Sequence, residues 1–429
     1  MQSGDWAPKD GDEIIVPFLA DMVLDQDTPV LKTLRIDGNL TFAPDGNKDG
    51  ASNGLSLNAH FILVENGGRL EIGTEENPYS LKASINLHGT RGDPFLPYSD
   101  FQKGNKILGV NQGTISLHGL NQRRRWVEME PAKKGDTSIK LADSVSWLPS
   151  QTICISTSSW NPWEREVHEI LEVLDFGNTL VLKAPLKHDH EGGQLTFGAK
   201  ALDTRPSVGL MSSNIRVGPA DAQEQYEGLV MPHPSYTNPA ISLNETEIEP
   251  VYCHSSRNGA FCKFGCQIAS FGKDAILQIK NAHIDHCGQG GLNFALTFGS
   301  SSSSGQSYLI DSAITHSMHG AIKISKQSGL KVQGNFVYES LDESSLLIEK
   351  ASGNQVLSNL IIGVMKISEG KAIFDTAMPA GVKDLSGGNE IKYHVVAGSD
   401  RIGYYVRGEV VILLPSSLNQ TSLMPVLLD

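Results

Sequence analysis

The sequence contains no run of about 18 apolar residues, so no helix in it reads as long and apolar enough to cross a bilayer. It opens Met1-Gln2-Ser3-Gly4-Asp5-Trp6, without the basic start and apolar stretch of a secretory leader. Positive charge is also scarce. Lys and Arg total 35 against 48 Asp and Glu, for a formal net charge of −13, which argues against nucleic acid or an anionic membrane as the main partner. The one tight basic cluster, Arg123-Arg124-Arg125, reads as a solvated turn. Only five cysteines occur; Cys154 stands alone, while Cys253, Cys262, Cys266 and Cys287 lie close together. The two close pairs of a zinc finger are missing, which argues against zinc even with His254, His283 and His286 nearby. The clustered cysteines are instead disulfide candidates if the chain is secreted, and buried thiols otherwise.

What is present is glycine and short alternation. The 429 residues include 43 glycines, and 39% are hydrophobic, enough for a substantial core. Leu87-His88-Gly89 ends the run Ser84-Ile85-Asn86, and Leu117-His118-Gly119 ends Thr114-Ile115-Ser116. Each closes an apolar–polar alternation typical of a half-buried strand, and glycine permits a sharp exit. These two units therefore predict stacked β-structure with adjacent turns, in which His88, Gly89, His118 and Gly119 are structural. Further on, Lys331-Val332-Gln333-Gly334-Asn335-Phe336-Val337 is echoed 24 residues later by Gln355-Val356-Leu357-Ser358-Asn359-Leu360-Ile361, with weaker copies from Gln278 and from Leu309. A β-repeat of that period predicts a solenoid. Asn335 and Asn359 fit its inward corners, where an asparagine can satisfy bent backbone and accept left-handed angles.

The fold class expected is all-β: a right-handed parallel β-helix with an N-terminal glycine-rich β-domain and a small inserted β-unit. The segments read as 5–125 for the glycine-rich domain, 126–200 for the small unit, 201–410 for the β-helix repeats and 411–429 for a divergent tail. The small unit is bounded by Lys134-Gly135-Asp136 and by Trp160-Asn161-Pro162-Trp163.

Several stretches carry a family resemblance: Gly11-Asp12, Leu34-Arg35-Ile36-Asp37-Gly38, Glu65-Asn66-Gly67-Gly68-Arg69-Leu70-Glu71-Ile72-Gly73, Asp285-His286-Cys287-Gly288-Gln289 and Ala397-Gly398-Ser399-Asp400-Arg401. They resemble the glycine-rich domain named for eight glycines and the β-helix repeats that follow it in the fibrocystin family. The resemblance spans about residues 5 to 410. It implies an extracellular or cell-surface, receptor-type or adhesion ectodomain, in some members ciliary, that meets a protein or glycan ligand. It also implies that the chain is a part of a longer, membrane-anchored glycoprotein; the sequons at Asn39, Asn244 and Asn419 agree. Hyaluronan-acting relatives carry an extra globular insert after the second Leu-His-Gly element. Here Arg125-Trp126 runs almost directly into Gly135-Asp136, and Gly290-Gly291-Leu292 stands where an Arg-Tyr pair is usual. Both departures argue against glycan cleavage.

The alternative is a carbohydrate-active, hyaluronan-binding or depolymerising enzyme, hydrolase or lyase. Its candidate residues are Asp285, His286, Asp311, His316, His319 and Lys323. Asp285 and Asp311 are 26 residues apart, about one coil, a spacing that would allow carboxylates stacked roughly 4.8 Å apart but is common in any solenoid and better fits a corner or solvent-facing role. His316 and His319 form a weak metal pair. Calcium is the one cofactor left open. Asp45, Asn47 and Asp49 resemble the start of a calcium loop, but Ser56 stands where its closing glutamate belongs.

Overall fold

A computed structural model describes residues 7–48, 54–90, 93, 105–159, 161–197, 200–220, 228–230, 251–253, 263–290, 293–299, 306–341, 343–365 and 379–406. Asp49, Asn244, Cys262, Asn419 and the tail lie outside them, as does the side chain of Cys253.

The chain forms a three-faced parallel β-helix. In a representative coil, Ile276–Lys280 lies on one face, Ala282–Asp285 on a second and Leu296–Phe298 on a third. The next coil repeats the cycle with Tyr308–Ile310, Ala313–Ser317 and Ile322–Ser325, each pairing in parallel with its predecessor. The first face is a 9-stranded ladder, and the other two are joined through the 11-residue strand Gly54–Val64 into a 17-stranded sheet. All-parallel pairing of this kind follows from alternation. Ile284, Ile314, Val337 and Ile361 fall at successive register positions and point inward, so each coil buries its apolar side chains against the coil above.

The N-terminal strands belong to the same solenoid. Ile107–Asn111 pairs with Gln267–Phe271 and Thr114–His118 with Ile276–Lys280, so the glycine-rich region supplies its first coils. The two Leu-His-Gly units are not stacked on each other. Leu87 lies on the second face beside Ala59 and Pro219, whereas Leu117 lies on the first beside Ile72 and Ile279. Their common motif reflects a common strand exit on two different faces.

Between Thr114–His118 and Ile215–Pro219 the chain leaves the solenoid to build a 6-stranded antiparallel sheet with its own core around Trp147, Ile153, Ile170 and Leu180. Its strand Ser207–Leu210 comes from beyond position 200. This sheet docks on the second face, where Cys154 and Met211 bury Phe336, Leu360, Ile362 and Val395. Cys154 is a free, buried thiol.

Arg123-Arg124-Arg125 is not uniformly solvated. Arg125 is buried at the junction, donating through Nε to the Asp311 carbonyl (2.8 Å) and through its terminal nitrogens to Ser212 O (2.8 Å) and Ser213 Oγ (2.9 Å). Burial lowers its pKa to about 10, so it remains charged at neutral pH. The guanidinium fork suits this junction because it can satisfy several carbonyls at once.

The asparagine corners hold, with one correction. Asn335 and Asn359 are fully buried and turn inward: Asn359 Oδ1 accepts from Asn335 N (2.9 Å), and Asn335 Oδ1 accepts from Ser312 N (3.0 Å). The left-handed residue is the one before, in the column Asn281, Asp311, Gly334, Ser358 and Tyr393. In the last described coil His394 replaces asparagine, with Nδ1 accepting from Asn359 N (3.2 Å) and Nε2 donating to Val356 O (2.8 Å).

Candidate functional site

The sequence-predicted residues separate into distinct places. Asp285 ends a second-face strand, and its partner one coil on is Thr315, not Asp311. Asp311 follows the first-face strand Tyr308–Ile310 in left-handed backbone. The carboxylate stack is therefore not formed: the 26 residues from Asp285 to Asp311 fall four short of the 30 that separate Asp285 from its register partner Thr315, which leaves Asp311 just past the preceding face. His319 lies past the corner with its ring edge-on to Phe294 at 5.4 Å, and Lys323 pairs with Glu349 at 2.9 Å. At the calcium-like turn, Lys48 places its ammonium 2.6 Å from Asp25. His118 is buried between Ser116 and Tyr308, consistent with a structural role. Gly119 is required by close approach, since a Cβ there would lie 2.4 Å from the Asn281 carbonyl. Asn39 is exposed on the first-face strand Asn39–Phe42. Of the disulfide candidates, Cys266 and Cys287 are bonded to each other.

What the fold brings together is a cluster around Asp285. Nδ1 of His286 lies 2.7 Å and Nδ1 of His316 3.3 Å from Oδ1 of Asp285. Thr315 donates to the same oxygen at 2.9 Å, and Thr315 Oγ1 lies 2.7 Å from Nε2 of His283. Arg216 grips the other oxygen through Nε (3.2 Å) and Nη2 (3.1 Å). The imidazoles of His286 and His316 stack at 4.5 Å, and His316 meets Tyr338 edge-on at 5.2 Å. Tyr338 in turn lies under the Arg165 guanidinium of the docked sheet, which pairs with Glu339 and also packs on Trp163.

Register explains this convergence. Arg216 pairs with His283, and Asp285 with Thr315 and then Tyr338, so these side chains share the outward side of one face. His286 and His316 stand at the bend one residue after Asp285 and Thr315, His316 still within Ala313–Ser317, with φ of 53° and 52°. Burial opposes the charged form of Asp285, but hydrogen bonds from His286 and His316 and the nearby imidazoles outweigh it and hold the carboxyl well below its usual range. Burial lowers the His283 pKa to about 4, so that imidazole is neutral at pH 7. The ligand atoms of Asp285, His286 and His316 all lie within 4.8 Å of one another. Sequence reasoning had singled out Asp285, His286 and His316 but missed Arg216, Thr315 and Tyr338; only the coil register, taken through the Ala282–Asp285 and Ala313–Ser317 strands, would have found them.

Residues 2–130 match the family model described as the G8 domain. Human fibrocystin-L is 26% identical over 424 residues, covering 93% of this chain and 9% of that protein. Dog fibrocystin is 26% identical over 426 residues, covering 93% of this chain and 10% of its own length. A G8 domain-containing protein of Dictyostelium discoideum is 29% identical over 170 residues, 38% of this chain and 12% of that protein. The chain thus spans about a tenth of the fibrocystins it matches. Among solved structures, the Pseudomonas phage phi297 tailspike gp61 overlays 88% of this chain and 50% of its own at 9% identity, with a TM-score of 0.20. The β-helix is read from the strand pairing itself.

Proposed function

We propose that this chain is a cell-surface or extracellular module of a fibrocystin-like ectodomain, presenting a rigid β-surface to a protein or glycan partner. The observation that carries this reading is that similarity to fibrocystin-L runs through 93% of the chain, solenoid and docked sheet together. The Cys266–Cys287 disulfide supports an oxidising compartment. Arg125, the Arg165–Glu339 pair and the apolar seam fix the docked sheet to the solenoid, while Trp163 and Phe176 remain exposed on it. Exposed aromatics on a rigid base suit recognition. Fluorescent chain is expected to bind the surface of unpermeabilised cells in a panel of lines, less so when Trp163→Ala and Phe176→Ser are combined. Pretreatment of the cells with trypsin or with hyaluronidase tells a protein from a glycan partner. Binding that is absent, or indifferent to the double variant, goes against the reading.

The enzymatic alternative loses its proposed carboxylate pair, because Asp285 and Asp311 lie on different faces. Size-defined hyaluronan incubated with the chain and calcium is expected to keep its length. Shortening that Asp285→Asn abolishes would overturn this preference.

A further inference from the structure

We propose that Asp285, His286 and His316 form a binding site for a divalent transition metal of the zinc class, with an open coordination position facing solvent. The proposal is independent of the partner-binding reading above. Two imidazole nitrogens and one carboxylate oxygen suit zinc, whereas calcium and magnesium prefer all-oxygen shells. Zinc bonds of about 2.0–2.1 Å in a tetrahedron set ligand atoms about 3.3–3.4 Å apart. The His316 Nδ1–Asp285 Oδ1 distance of 3.3 Å already matches, and the His286 contact of 2.7 Å must open by about 0.6 Å to reach the same spacing. Both imidazoles would bind as neutral ligands through Nδ1, with the proton on Nε2.

The supporting residues around the cluster are those a metal ligand needs. Arg216 holds Oδ2 and leaves Oδ1 as the ligating oxygen. Thr315 orients that oxygen and is itself held by His283. The Arg216 charge repels a cation, so binding is expected to be weaker than at an all-protein structural zinc site.

The backbone supplies an independent argument. The corner occupied by His286 and His316 is filled in later coils by Glu339, Gly363 and Gly398, all at positive φ. Glycine adopts this conformation freely, while a side chain there is strained, with histidine among the better tolerated. Two successive coils thus place histidine at a left-handed position that the last two described coils fill with glycine, and both rings aim at one carboxylate. Strain retained at adjacent positions with convergent side chains is the pattern of a functional site.

The same corner gives a test that spares the fold. His286→Gly and His316→Gly each remove a ligand at a position suited to glycine. Titration of the full chain with Zn²⁺ is expected to show one site per chain, and Co²⁺ to give visible d–d absorption. Each single variant is expected to weaken Zn²⁺ binding by at least about tenfold, comparable to losing a partner that orients a ligand. The double variant is expected to abolish it, while His60→Ala, on the first coils, leaves it intact. Circular dichroism of every variant must show an unchanged β-spectrum. A native chain that binds no Zn²⁺, or folded glycine variants that bind as the native chain does, would overturn the proposal.

Discussion

At the scale of single residues, a corner position is decided by what its neighbours leave unsatisfied. His394 takes the place that Asn335 and Asn359 hold in earlier coils, accepting from one backbone amide and donating to one carbonyl as they do. Burial holds its pKa near 4, below the 6.5 of an exposed histidine. Because the folded value is the lower, the unfolded chain binds the extra proton. This contribution to stability is complete above pH 6.5 and is lost as pH falls through 6.5 toward 4, amounting to about 3 kcal/mol. Thermal melts from pH 7.5 to 4.5 are expected to show this loss. His394→Asn, which keeps both hydrogen bonds, is expected to flatten it, and an unchanged pH slope in that variant would remove His394 as its source. Close approach decides elsewhere. Gly119→Ala, whose Cβ would meet the Asn281 carbonyl, is expected to destabilise by roughly 1–3 kcal/mol in chemical denaturation.

At the scale of the coil, the ladder couples residues that sequence places two dozen positions apart. Asn359 satisfies Asn335 N and Val332 O at once, so Asn359→Ala leaves a buried donor and acceptor unpaired. Its cost is expected at about 2–5 kcal/mol, read as a shifted denaturation midpoint with little change in slope. Much of this was legible beforehand. The Val332/Val356 repeat and its asparagines announced the solenoid because identical coils need identical corners. The Asp285 cluster was less legible. Counting one coil length from Asp285 leads to Asp311, whereas register on the second face, which leads to Thr315, depends on how many residues each corner consumes. Arg216 pairs with His283, 67 positions further on and far longer than the 24-residue repeat, so no spacing rule reaches it.

At the scale of the molecule, one solenoid carries an excursion whose root is pinned. Arg125→Ala removes the buried guanidinium joining that root to Asp311, Ser212 and Ser213, and is expected to lower the thermal midpoint and speed proteolysis near the junction. The apolar seam against Phe336 and Leu360 was invisible in sequence, since those residues read as ordinary strand positions until the docked sheet covers them. The direction of pairing has a mechanical consequence. Strand-to-strand hydrogen bonds run broadly along the solenoid axis, evenly spaced and slanted as in any parallel ladder. Tension applied along that axis would open the coils one after another, like a seam peeled from its end. Tension applied across it would load many such bonds together in shear. A solenoid built this way is compliant in one direction and stiff in the other, so the direction in which it is loaded sets how much force it survives.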